Sequence, residues 1–278
     1  MSTFQLYNQV TATASRQTTT MYSSSFSSAI KLLHADLRQP IYDVYGLVRF
    51  ADEIVDTFHN YDKAALLANF KKDTYTAIEQ GVSLNPILHR FQLTFRKYNI
   101  GIDLVEAFFN SMEMDLSNQT YTIDSYQKYI YGSAEVVGLM CLHIFCDGNN
   151  AKFEVLKPAA QRLGAAFQKV NFLRDIKADF EGLSRLYFPN CDFTNFKEED
   201  KRQIESDIQA DFSEALDGIK ALPIKARFGV YVAFKYYYTL YKKIKKTKHH
   251  AVLKMRIRIP DYKKLIILAN ASIRSQLN

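Results

Sequence analysis

At 278 residues the chain can bury one large core and sits near the upper size at which a single domain is usual, so no second domain is required. Hydrophobic residues at 47% and charged residues at 23% exclude a disordered or fibrous chain, and ten Gly and six Pro disfavour a turn-rich β architecture. The net charge of +7 is concentrated: from Lys225 to Lys264 thirteen Lys/Arg face one acid, Asp261, a local +12 that leaves −5 for the rest.

In chain order, residues 1–22 are polar and Thr-rich, with no cationic start followed by an apolar block, and do not read as a signal peptide. A first helix is expected from Ser23 to Leu37, with serines to cap its first turn. Pro40 marks a fresh start for a helix to about Phe58, followed by helices near Lys63–Glu79, Pro86–Tyr98 and Ile102–Leu116. Thr122 or Asp124 caps a long apolar helix to Phe145, ended by Asp147-Gly148-Asn149-Asn150. A helix from about Phe153 to Phe180 and a loop from Glu181 to Phe196 come next. Helices at Lys197–Lys220, Pro223–Lys246 and Pro260–Gln276 complete an all-α chain. The longest apolar runs, such as Leu265 to Ala269, are far short of a membrane span.

Two of these helices carry a polar stripe. At about 100° per residue, Gln168, Asn171, Asp175 and Asp179 share an arc about 80° wide, and Tyr45, Arg49, Asp52 and Asp56 share one of about 60°. Glu53 points about 100° away from Asp52. Apolar neighbours surround both stripes, so the carboxylates are expected to be buried and to need counter-charge. Divalent cations that hold phosphate oxygens supply it; two ion-paired structural helices are the plainer alternative. A segment such as Arg185-Leu186-Tyr187-Phe188-Pro189, directly after a metal-binding helix, is placed to fold over the site.

Ser23-Ser24-Ser25-Phe26, Tyr45 to Asp56, Tyr129-Ile130-Tyr131-Gly132 with Val137-Gly138, Gln168 to Asp179, and Arg185 to Pro189 resemble the successive motifs of the squalene/phytoene synthases, in order and at family-like spacing. The resemblance covers most of the chain. It implies a single isoprenoid synthase-like helical bundle over 1–278 that encloses a central cavity. Two prenyl diphosphates condense there head to head through a cyclopropyl-carbinyl diphosphate.

By the same resemblance Asp52, Asp56, Asp175 and Asp179, with Asn171, would bind Mg2+, Mn2+ being an alternative ion. Gln168, Asn171 and Tyr129 would line the reaction centre. Ser23, Arg49 and Arg174 would bind diphosphate, and Phe26, Tyr45 and Tyr187 would border cations or diphosphates. Val137, Gly138, Ala165 and Phe167 would shape the prenyl tunnels. Each also has a plain reading: Ser23 as a helix cap, Gln168 and Asn171 as partners of a buried carbonyl, the aromatics as packing.

The chain departs from the family at Asp52-Glu53, where many members have two aspartates, and at Lys177-Ala178 inside the second motif. The late basic residue of the family is matched by His250, Lys254 or Arg256, with the choice open. Two geranylgeranyl diphosphates giving phytoene is the favoured product line in carotenoid biosynthesis. Dehydrosqualene or squalene from farnesyl diphosphate is the alternative, with NADPH needed for squalene alone. A chain-elongating prenyltransferase or terpene cyclase fits the motif spacing less well, and a non-catalytic assembly factor with this fold predicts eroded carboxylates.

Cys141, Cys146 and Cys191 lack zinc-ligand spacing and read as free thiols, in keeping with a reducing cytoplasm. His34, His59, His89 and His143 have no partners at ligand spacing and read as structural. The basic C-terminal quarter suits a solvated helix face or peripheral contact with anionic lipid, and no nucleic-acid motif accompanies it.

Overall fold

The computed structural model of the chain describes residues 2–117, 121–183, 185, 187–189, 191 and 195–276; for 178–183, 261, 265, 270 and 272–276 it describes the backbone. Among the described residues all regular structure is helical, as the composition implies.

Helix α1 spans Thr3–Tyr22, where no helix was expected. Threonine is a poor helix former because its β-branch restricts rotamers. Here Thr11, Thr13, Thr18 and Thr19 donate back to carbonyls one turn earlier. A Ser2–Gln5 capping box starts the helix. Docking fixes it: Tyr7 Oη donates to Ser83 O at 2.5 Å, and His89 Nε2 lies 2.7 Å from Asn8 Oδ1.

The helix expected from Ser23 to Leu37 is shorter, α2 at Ser24–Ile30. The chain then turns, because His34 N is drawn to Lys225 O at 2.9 Å. Helix α3 runs Ala35–Thr57, so it begins before Pro40 rather than at it. Proline forfeits one bond to the carbonyl of Asp36, an exposed residue of the first turn where water substitutes. Buried Asp43 ties α3 to α5 (Pro86–Lys97): Arg90 Nη2 donates to it at 3.0 Å and Thr94 Oγ1 at 2.8 Å.

Helices α4 (Lys63–Gln80) and α6 (Ile102–Met114) fall where predicted to within two residues. The long apolar helix does start from Thr122, but in three pieces: α7 (Ile123–Ile130), a π-helical turn at Tyr131–Glu135, and α8 (Val136–Phe145). Gly132 lies in the π turn against α6, where an added Cβ would stand 2.4 Å from Ala107 O.

Helix α9 (Asn150–Leu183) is longer at both ends than expected. It packs on α10 (Glu198–Ala221) with Lys169 Nζ 2.6 Å from both Asp207 and Asp211. Helices α11 (Ile224–Lys245), α12 (His249–Val252) and α13 (Asp261–Gln276) finish the bundle. One apolar core gathers α3 to α6, α8 and the start of α9, a second gathers α7, the rest of α9 and α10 to α12, and the cavity draws its walls from both.

Candidate active site

The cavity holds about 630 Å3 and is lined mainly by α2, α3, α8, α9, α10 and α11. From α3 it receives Tyr45, Arg49, Asp52 and Asp56, and from α9 Gln168, Asn171, Arg174 and Asp175. The two predicted stripes therefore meet on one cavity. The side chain of Asp179 lies outside the described residues.

Asp52 bears a large electrostatic cost. Burial, then the neighbouring charge of Asp56, pushes its carboxyl up to about 8 against the pull of Arg49. Arg49 faces elsewhere: it pairs with Glu53, its guanidinium lies 4.3 Å from the centre of the Tyr22 ring, and its Nε is buried without a partner. Burial raises Glu53, but hydrogen bonds from Thr57, Arg49 and Tyr22 outweigh it and hold the carboxyl below its usual range.

Asp56 accepts from Arg185 Nη1 at 2.8 Å, so the segment after α9 does reach α3. Arg185 Nη2 also donates to the Asp115 carbonyl at 2.9 Å. The Asp115 carboxylate accepts from Tyr129 Oη at 2.6 Å and Tyr187 Oη at 3.1 Å. Burial nonetheless pushes Asp115 up to about 6, over the opposing pull of Arg185 and the tyrosines. Burial and the adjacent Asp115 charge raise Tyr129, which keeps its phenol protonated as a donor.

On α9, Asp175 sits between two guanidiniums: Arg174 Nε at 3.0 Å and Arg256 Nε at 2.7 Å. Asn171 and Arg174 donate to Tyr237 Oη, which leaves Asn171 Oδ1 buried with no partner. Tyr45 feels the charge of Asp52 and of Tyr237, and Tyr237 that of Asp175, so both carboxylate sets share one polar region.

An aromatic wall adjoins it. Phe167 stacks on Tyr237 at 3.9 Å, and Phe26 lies 5.8 Å from Tyr237 and 6.1 Å from Tyr45. Ser23 lines the cavity, caps α2 by accepting from Phe26 N at 3.2 Å, and donates to Tyr45. Val137 and Gly138 lie on the wall, the latter 3.1 Å from Ala160 O if given a Cβ. Ala165 does not: it is buried in the second core, about 100° around α9 from Gly164, which does line the cavity.

Sequence reasoning left out Asp115, Arg185 and Tyr22 as site residues and left the late basic residue open. The structure brings Arg256 to Asp175, whereas His250 packs against His249. Asp115 carries no signal at helical spacing, since its partners are 14 and 72 residues away.

Among the described residues no three His, Cys, Asp or Glu side chains are gathered closely enough to hold a metal ion by themselves. The donor chemistry still fits a divalent cation. Asp52 and Asn171 Oδ1 are hard oxygen donors that lack adequate counter-charge or partner, and amide or phosphate oxygens complete such a shell.

The squalene/phytoene synthase family profile matches residues 19–263. The phytoene synthase of Arthrospira platensis is 24% identical over 94% of this chain and 92% of that protein. The presqualene diphosphate synthase of Rhodopseudomonas palustris is 29% identical over 60% of this chain and 58% of that protein. A crystal structure of a dehydrosqualene synthase superposes with TM-score 0.85 at 20% identity over 99% of both chains. A squalene synthase of Alicyclobacillus acidocaldarius gives 0.75 at 18% identity over 87% of this chain and 95% of that one, which again shows a common fold. The chain belongs to the squalene/phytoene synthase family, whose chemistry is the head-to-head condensation of prenyl diphosphates.

Proposed function

We propose that the chain condenses two geranylgeranyl diphosphates to phytoene, without a reductant. The observation that carries this reading is the arrival of both carboxylate stripes, Asp52 with Asp56 and Asn171 with Asp175, on one largely apolar cavity. The Arthrospira platensis relative, a phytoene synthase matched over nearly all of both chains, supports the twenty-carbon substrate.

Asp52, Asp56, Asn171 and Asp175, with Asp179 in the same stripe, would hold the cation. Bound Mg2+ or Mn2+ neutralises diphosphate charge as the leaving group departs. Arg49, Arg174 and Arg256 bind diphosphate oxygens through charge-assisted hydrogen bonds. Loss of one diphosphate leaves an allylic cation, which the double bond of the second substrate attacks; the resulting cation loses a proton as the ring closes to give the cyclopropyl-carbinyl diphosphate. Phe26, Tyr45, Phe167 and Tyr237 offer ring faces to the cations. Arg185 and Tyr187, held by Asp115, keep water from them. A second ionisation, rearrangement and loss of a proton complete the hydrocarbon.

The test is incubation of the protein with geranylgeranyl or farnesyl diphosphate, with Mg2+, Mn2+ or chelator, with and without NADPH, followed by mass spectrometry. A forty-carbon triene-centred product formed without NADPH is expected. A thirty-carbon product moves the assignment to dehydrosqualene, or to squalene if NADPH is required. A folded protein that releases no diphosphate from either substrate overturns the reading in favour of a non-catalytic role.

A further inference from the structure

The cavity has a mouth, and around it stand exposed apolar and basic side chains that the condensation does not use. Among the described residues that line the cavity, Tyr22 and Arg256 alone are exposed, and they mark the opening. Each follows an exposed methionine: Met21 is 84% exposed and Met255 58%. Tyr262, on the first turn of α13, is exposed as well.

These side chains form one surface. Lys264 Nζ donates to Ser24 Oγ at 2.8 Å, which ties α13 to the start of α2 beside Tyr22. Lys243 Nζ donates to the Arg258 carbonyl at 2.7 Å, which ties the segment holding Met255 and Arg256 to the end of α11. Exposed Lys242, Lys254, Arg258 and Lys263 stand among them, and no acid occurs from Lys225 to Pro260. A basic face that served solubility alone gains nothing from unbranched apolar side chains at the cavity's lip. A surface that enters the headgroup boundary of a bilayer needs both kinds of residue.

We propose that this rim is a docking surface for an anionic lipid bilayer. Met21 and Met255 enter the acyl boundary, Lys242, Lys254, Arg258 and Lys263 lie on lipid phosphates, and the cavity opens into lipid. Apolar prenyl chains and hydrocarbon then pass between bilayer and cavity without crossing water. That last consequence rests on the function proposed above; the docking itself does not.

The chain contains no tryptophan, so Met21→Trp and Met255→Trp each supply a single reporter. On addition of phosphatidylcholine vesicles containing phosphatidylglycerol, both reporters are expected to shift to shorter wavelength and to be quenched by brominated acyl chains. Val155→Trp, on an exposed position about 30 Å along α9 from Asp175, is expected to do neither. Met21→Glu/Met255→Glu is expected to reduce vesicle partition by at least about tenfold with the melting temperature unchanged.

Reporters that ignore vesicles overturn the proposal, as does undiminished partition of the glutamate variant. Equal partition onto pure phosphatidylcholine overturns the part assigned to charge. A reporter shift that appears without vesicles as protein concentration rises assigns the rim to a second copy of the chain. No measurement here uses a prenyl diphosphate, so failure of the proposed reaction and failure of the docking surface are read separately.

Discussion

Arg256 and Asp175, 81 residues apart in sequence, form an ion pair at 2.7 Å on the cavity wall. On the function proposed above, the guanidinium occupies a carboxylate that α9 would offer to a cation, so cation and arginine would compete for it while diphosphate would attract both. Arg256→Gln is expected to tighten binding of Mg2+ alone and to weaken binding of inorganic pyrophosphate with Mg2+, each by roughly fivefold, since the half-exposed pair is worth about 1 kcal/mol. Titration calorimetry reads both. Unchanged affinity for Mg2+ alone would show that the pair does not guard Asp175.

Asp52 should announce itself through pH. Its folded carboxyl is raised to about 8, so the folded chain binds a proton that the unfolded chain gives up near pH 4. Stability linked to this group is fully present below about pH 4 and is lost as pH rises through about 8. Without divalent cation, Asp52→Asn is expected to gain on the parent chain across that interval, by on the order of a few kcal/mol in urea unfolding. The same substitution is expected to abolish turnover. A pH-independent difference in stability would remove the buried charge from the account.

The Asp115 cluster predicts coupling rather than a single large loss. Asp115→Asn and Tyr129→Phe are each expected to cost about 1–3 kcal/mol, because each leaves a buried partner unsatisfied. Together they are expected to cost at least about 1 kcal/mol less than their sum. Strict additivity in a double-mutant cycle on thermal unfolding would mean that the 2.6 Å bond carries little energy.

Ala165 and Phe167 separate wall from core. Ala165→Leu overpacks the second core and is expected to lower stability by about 1–3 kcal/mol while the product stays the same. Phe167→Ala removes the ring stacked on Tyr237 and enlarges the cavity, so turnover is expected to fall and the accepted chain length to broaden. Product analysis of both variants with farnesyl and geranylgeranyl diphosphate distinguishes the two roles.

Periodicity and caps made α4, α5 and α6 legible because local signals there agree with burial. They failed at α1, where a helix that its threonines disfavour in isolation is held through Tyr7 to Ser83 and through Asn8 to His89. The carboxylate stripes were legible because helical spacing alone puts Asp52 beside Asp56. Asp115 and Arg256 were not, because tertiary closure joins them to the site. Ala165 misled because the resemblance marks a segment, whereas the wall selects every third or fourth residue of it: Gly164 and Phe167 face the cavity and Ala165 does not.

The π-helical turn at Tyr131–Glu135 holds one more residue per turn than its neighbours and sits upstream of Val137, Gly138 and Cys141 on the cavity wall. Tightening it to α geometry at unchanged length would rotate everything downstream by about 100°, turning those three side chains away together, whereas deleting one residue as it tightens would bring them back into register. A switch between π and α geometry at this one point would therefore exchange a whole face of the lining in one step while α3 and α9 keep their carboxylates. The extra residue of this turn thus sets which face of α8 lines the cavity, independently of the helices that carry the carboxylates.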